Sequence, residues 1–256
     1  MSRKRLVLIL ILAGILAFSL FRLVSIWQEY EEGDAIYEEA RSYVLTEEML
    51  GDDRVEDIEN PHRALGVYVD IEGLREENPE VLGWLLIKDT PVDYPLLQGE
   101  DNSYYLNHTY NNAWNSLGSI FLDCRAAPDL SDLHSIIYGH NTKNNSQFGS
   151  LRKLRDQSYY EEHSEFYVLL EDGYLTYAIF SVHRAHTLSE VFQTDSTVAE
   201  EHQAFLDFAL EQSVIESGIE VLPTDRIVTL STCTGNDINE RLVVHGVLVE
   251  DSRQEQ

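Results

Sequence analysis

The chain has 256 residues, with 45 acidic against 18 basic side chains and a formal net charge of −27. That balance excludes a nucleic-acid-binding surface, which needs Lys and Arg patches to neutralise phosphate, and it predicts an acidic, solvated exterior. No internal repeat or low-complexity tract stands out, and the length left after a short N-terminal anchor suits one globular domain with a single core.

At the N-terminus Ser2-Arg3-Lys4-Arg5 precedes Leu6 to Phe21, which carry no charge, then Arg22 and a further apolar stretch to Trp27. Counted past a snorkelling Arg22, the run reaches the ~20 residues a helix needs to cross a bilayer. The basic cluster belongs on the cytoplasmic side. Residues 1–27 are therefore expected to be a cytoplasmic tail and a retained single-pass anchor at the cell membrane, with the rest of the chain extracellular. A cleaved signal peptide ending near Ala17-Phe18-Ser19 is the competing reading; it fits less well because the apolar run resumes beyond that site. Residues 28–63 are dense in Glu and Asp, with Ile36, Tyr37, Ala40, Tyr43 and Val44 at helical spacing. They predict an amphipathic helix followed by a linker, together a solvated spacer.

Residues 64–250 read as one mostly β domain with added helices (α+β). In order, the pattern predicts an extended segment at Val67–Ile71, a short helix near Pro79–Gly83, and strands at Trp84–Ile87 and Val92–Leu97. A polar, aromatic stretch from Asp101 to Tyr110 follows, in which Asn102 and Leu106 share a face if it is helical. Gly118–Leu122 and His134–Tyr138 read as strands, and Cys124 between them as a free, packed thiol in preference to a disulfide partner of Cys233. Phe166–Leu170 and Tyr174–Val182 form a hairpin around Asp172-Gly173. A helix from Thr197 to about Glu216 opens with the capping box Thr197/Glu200. Residues 251–256 are expected to be a frayed, disordered tail.

The last hairpin carries the chemistry. Read with period two, Ile227–Cys233 sends Val228, Leu230 and Thr232 to one face and Thr229, Ser231 and Cys233 to the other. After a loop holding Gly235, Asn236, Asp237 and Asn239, a second strand starts at Arg241. A hairpin centred on that loop sets Arg241 across from Cys233, and opposed residues share a face. A guanidinium beside a thiol favours the thiolate and offers a donor to an oxyanion. The residues alone leave a second reading open, since a lone Cys at a strand end is more often a small apolar core residue.

The histidines do not decide the matter by themselves. His62, His108, His163 and His202 sit in polar surroundings and read as solvated. His183 and His186 have metal-like spacing but no further ligands, so neither a metal nor a cofactor is expected. His245 pairs with Thr229 in the hairpin, roughly 13 Å along the strand from Arg241. His140 leaves a strand into a turn-rich loop, where catalytic groups are commonly displayed.

Taken together, TLSTC (Thr229–Cys233) with Arg241 eight residues later, Tyr138-Gly139-His140-Asn141, and the ordered stretches Asn78-Pro79-Glu80-Val81-Leu82-Gly83-Trp84, Asp93-Tyr94-Pro95, Asp101-Asn102-Ser103-Tyr104-Tyr105-Leu106 and Gly118–Asp123 resemble a class B sortase. The resemblance spans roughly Glu77 to Val249; Thr142 departs from it, standing where Met is frequent. It implies a closed sortase-type β-barrel with an N-terminal helical extension and one long helix before the Cys strand. The implied reaction is transpeptidation: Cys233 cleaves an NPxTx-like sorting motif at the Thr carbonyl, His140 moves the protons, and Arg241 holds the oxyanion or the substrate backbone. Ser231, Tyr138, Asn102 and Leu106 are the implied substrate contacts. The implied partners are a sorting-signal-bearing surface protein or pilin, and an amine from peptidoglycan precursor or a pilin lysine, with the enzyme a monomer. The alternatives are a papain-like cysteine protease, whose nucleophile would precede its His, and a membrane-anchored adhesion or scaffold module with an inert cysteine.

Overall fold

The structure, a computed structural model, describes residues 3–46, 49, 60–192, 199–233 and 239–254. Eight strands close into a barrel: β3 (Val81–Leu86), β4 (Asp93–Leu97), β5 (Ile120–Leu122), β6 (His134–Gly139), β7 (Glu165–Leu170), β8 (Gly173–His186), β9 (Ile227–Cys233) and β10 (Glu240–Asp251). Their spatial order is β10-β8-β7-β3-β4-β5-β6-β9. Closure pairs every barrel strand on both sides. Two neighbouring pairs, β4–β5 and β6–β9, are parallel, and the others are antiparallel. β3 and β4 are buried along most of their length and read as near-continuous hydrophobic runs. A small separate sheet pairs β1 (Val44–Thr46) with β2 (Val67–Val69).

Several local expectations are corrected. The N-terminal helix α1 (Arg3–Arg41) is one unbroken element of 39 residues, and its last turns are not a solvated spacer. Tyr37 and Ala40 are buried in the main core. The Tyr37 hydroxyl donates to the Gly118 carbonyl, and its ring packs edge-on against Tyr94 at 5.0 Å. Tyr43 and Val44 leave the helical pattern because β2 offers Val44–Thr46 a pairing edge. The short helix expected near Pro79 lies earlier, as α2 (Ile71–Glu77). Asp70 caps it by accepting the Gly73 amide at 2.8 Å, and Asn78, extended before Pro79, ends it.

Residues 148–162, given no structure from the sequence, form a 3₁₀ run (Phe148–Arg155) and α3 (Gln157–Glu162) that bury Phe148, Leu151 and Leu154. The long helix α4 (Ala199–Gln212) stops short of Glu216 because the Val214 amide turns away to the Val182 carbonyl at 2.9 Å. Thr197 of the expected capping box lies outside the described residues, as do 234–238 of the β9–β10 loop. Nor does the chain fray at Asp251: its carboxylate holds Arg226 at 2.7 Å and Arg253 at 2.8 Å, and a 3₁₀ turn (Ser252–Gln254) follows. Cys124 is a free thiol.

Beneath α4 lies a second core that includes Phe180, Phe205, Leu206, Ala209 and Val243. A polar chain runs through this region. His134 Nε2 lies 2.8 Å from Thr229 Oγ1, which lies 2.7 Å from His245 Nδ1, and the His183 ring stands 5.0 Å from that of His245. His62 and His202 are buried, contrary to their polar sequence surroundings. His62 bridges the Val69 amide and the Leu170 carbonyl, and His202 donates to the Asp225 carbonyl. His183 is buried while His186 is exposed, so their spacing does not bring them to one site.

Candidate active site

Three neighbouring strands set the site. Parallel β6 and β9 pair Tyr138 with Ser231 and Gly139 with Thr232, while antiparallel β10 sets Arg241 opposite Cys233. His140 follows directly on Gly139, the last paired residue of β6, and so leaves the sheet at the end where β9 reaches Cys233 and β10 pairs Arg241 with it. The Arg241–Cys233 and His245–Thr229 pairings are those expected from the hairpin count.

A cleft of about 190 Å³ opens at this end. His140, Arg241, Ser231, Tyr138, Asn102 and Leu106 all line it, with Phe121, Gly139 and Thr232 completing the wall. The 3₁₀ turn Tyr104–Leu106 supplies one rim and brings Asn102 and Leu106 to the same side.

The surroundings of His140 fix its tautomer. Its Nε2 lies 2.8 Å from the Leu106 carbonyl. A carbonyl only accepts, so Nε2 carries the proton and the lone pair of the neutral ring is on Nδ1. Burial pushes the imidazole pKa below its ordinary value, with the Leu106 carbonyl partly opposing that shift, so the neutral ring dominates at pH 7.

The backbone of His140 is held by Gln147, a residue the sequence reading passed over. Gln147 is fully buried at φ 44°. Its Oε1 accepts the His140 amide at 3.2 Å, while Nε2 donates to the Leu117 and Gly118 carbonyls at 2.8 and 3.0 Å. One Gln in a polar loop carries no local signal for such a role.

Asp123 is the second omission, although the Gly118–Asp123 stretch had been noted. It is buried and accepts from the Tyr138 hydroxyl at 3.0 Å and from Arg125 at 2.9 Å. Burial alone would raise its carboxyl, but the hydrogen bonds from Arg125, Asn102 and Tyr138 outweigh it and hold the pKa at about 2. Asn102 Oδ1 also accepts the Cys124 amide at 2.8 Å. Tyr138 and Asn102 thus line the cleft while being tied to its frame. The Ser231 hydroxyl is buried without a hydrogen-bond partner among the described residues. Arg241 is half-buried, and one guanidinium nitrogen donates to the Glu240 carbonyl at 2.9 Å.

A family model described as the sortase domain matches residues 85–249. Sortase B of Listeria monocytogenes is 39% identical over 184 residues, 70% of this chain and 74% of that protein. Sortase B of Staphylococcus aureus is 33% identical over 183 residues, 71% and 75% of the two chains. The solved Staphylococcus aureus sortase B–substrate complex superposes with a TM-score of 0.74 at 28% identity, covering 87% of this chain and 99% of that one. The closed eight-stranded barrel with its N-terminal helix is the architecture that the resemblance implied. By sequence and by fold, the chain belongs to the sortase family of cysteine transpeptidases, on its class B branch.

Proposed function

We propose that Cys233 is the nucleophile, His140 the proton carrier and Arg241 the oxyanion donor of this transpeptidase, acting on an NPxTx-like sorting motif. The observation that supports the reading is that His140 and Arg241 line one cleft together with Ser231 and Thr232, and that Arg241 is the cross-strand partner of Cys233, the next residue of β9. The Cys233 proton passes to Nδ1 of His140, and the thiolate attacks the Thr carbonyl. Arg241 stabilises the resulting oxyanion with a charged donor. His140 then returns the proton to the leaving amine, and a thioester remains. An acceptor amine next loses its proton to the neutral imidazole, attacks the thioester and releases the thiol.

Leu106 and Ser231 are assigned direct contact with the peptide, and Tyr138 and Asn102 shape the wall through Asp123. The acceptor is an amine of peptidoglycan precursor or of a pilin lysine, and the donor is a surface protein or pilin bearing the motif. The N-terminal part of α1 spans the cell membrane once, with the N-terminus cytoplasmic, and the barrel works outside as a monomer.

The test is mass spectrometry of the protein incubated with a sorting peptide, then with candidate amines. A thioester adduct of the peptide truncated at Thr, resolved by one class of amine, is the expected product. Cys233→Ala should give neither adduct nor cleavage; turnover by that variant would move the nucleophile elsewhere.

A further inference from the structure

From Asn102 to Leu122 the chain has no Asp, Glu, Lys or Arg, although its net charge is −27. Most of this stretch is the loop that follows the 3₁₀ turn Tyr104–Leu106 and leads to β5. At the loop's outer side Trp114 is 68% exposed. A short antiparallel bridge sets Trp114 opposite His108, whose ring stacks on Tyr104 at 3.9 Å. Opposed residues share a face, so the indole belongs to an aromatic side of the loop.

The loop is fastened to α1 at a telling height. Asn115 Nδ2 donates to the Glu29 carbonyl and the Ser116 amide to Glu29 Oε1, both at 3.0 Å. Gly33 allows the close approach, since a Cβ there would stand 2.1 Å from Leu117 Cδ1. Glu29 comes two residues, ~3 Å of helix axis, after Trp27, where the apolar run ends. From Leu6 to Trp27 that run covers roughly 32 Å of helix against about 30 Å of bilayer hydrocarbon. Trp114, next in sequence to Asn115, is therefore held near the level at which α1 leaves the hydrocarbon. Indoles favour that level, with the ring body among acyl carbonyls and the N–H among headgroups.

We propose that the loop 107–117 is a second membrane contact, which seats Trp114 in the headgroup layer of the leaflet from which α1 emerges. The proposal rests on α1 being the anchor. A strongly acidic protein is repelled by anionic lipid, so the uncharged loop is the side on which the domain can approach the surface. The loop follows directly on Leu106, whose carbonyl holds His140. The catalytic cleft then stands at a fixed, small height above the lipid.

The full chain reconstituted in phosphatidylglycerol–phosphatidylcholine vesicles tests this by tryptophan fluorescence. Trp84 is buried and serves as a constant background. The difference between Trp27→Phe and the double variant Trp27→Phe/Trp114→Phe isolates Trp114. Its emission should lie to the blue of a solvated indole and lose intensity when the lipids are brominated near the carbonyl end of their chains. Quenching by aqueous acrylamide alone would overturn the proposal. So would protection from both quenchers, which would mean that protein, such as a second copy, covers the loop. Trp114→Phe, read in the same way, isolates Trp27 and tests the anchor separately. If bromolipid quenches Trp27 and not Trp114, the second contact fails while the anchor stands; if it quenches neither, both fail.

Discussion

Lowering the pH from 7 to 5 should weaken the fold through two histidines remote from the cleft. His183 and His245 are at most 1% exposed, and the Nε2 atom of each has no hydrogen-bond partner among the described residues. Burial lowers the His183 pKa to about 4, against ~6.5 in an unfolded chain. Burial, then the neighbouring His183 and His134, push His245 well below its ordinary value. Folding therefore favours the neutral rings, and in this window the unfolded chain binds more protons. The stabilisation is complete above the unfolded pKa and is lost as the pH falls toward the folded one. Between pH 7 and 5 the His183 ring loses about 2 kcal/mol by this linkage, and His245 loses stability in the same direction. The His183 contribution alone is a sizeable share of the roughly 5–15 kcal/mol typical of a domain. Asp123 leaves the window clear, since its carboxyl titrates at ~3.9 when unfolded and at about 2 in the fold. Urea unfolding in detergent micelles, followed by emission of the buried Trp84, measures the loss. The control is His183→Asn/His245→Asn, which keeps a hydrogen-bonding group where each Nδ1 faces Ser181 or Thr229 but does not titrate. The native chain should lose at least about 2 kcal/mol more than the variant over this interval; equal losses would refute the reasoning.

Three further outcomes are expected. Arg241→Lys should lower kcat/KM for a sorting peptide by roughly 100-fold, because a point charge does not reproduce the guanidinium fork; a near-normal value in a peptide-cleavage assay removes the proposed role. Gln147→Ala strands the His140 amide and the Leu117 carbonyl and takes one of two donors from the Gly118 carbonyl, and should cost about 2–3 kcal/mol in urea unfolding together with a fall in kcat. Gly118→Ala places a methyl 2.5 Å from the Tyr105 carbonyl oxygen and 2.7 Å from that of Leu106, at φ +55°. It should lower Tm and, by moving the carbonyl that orients His140, reduce turnover by the folded fraction as well.

The hairpin and its register were legible because both signals are local: alternation along each strand, and a count of loop residues between Cys233 and Arg241. The barrel was legible through ordered motifs more than through periodicity, since strands buried on both faces do not alternate. What escaped depends on partners far along the chain. Tyr37 lies in an acidic stretch, and nothing nearby announces that its hydroxyl reaches Gly118. His62 and His202 are flanked by polar residues yet are buried against backbone carbonyls from other elements. In the cleft, Arg241 followed from the hairpin register, His140, Ser231, Tyr138, Asn102 and Leu106 could be named only through the ordered motifs of the family resemblance, and Phe121, Gly139 and Thr232 were not named as lining it. Asp123 and Gln147, which hold Tyr138 and His140 in place, were missed, because each acts through hydrogen bonds to distant groups.

The His134–Thr229–His245 chain crosses β6, β9 and β10, the strands that end at or next to positions 140, 233 and 241. A one-residue slip of β9 would turn Thr229 to the opposite side of the sheet and break both contacts inside a dry interior. It would also carry Cys233 out of register with Arg241. The buried trio thus acts as a dowel through three planks, set back from the end where Gly139, Cys233 and Arg241 lie and keeping that end flush.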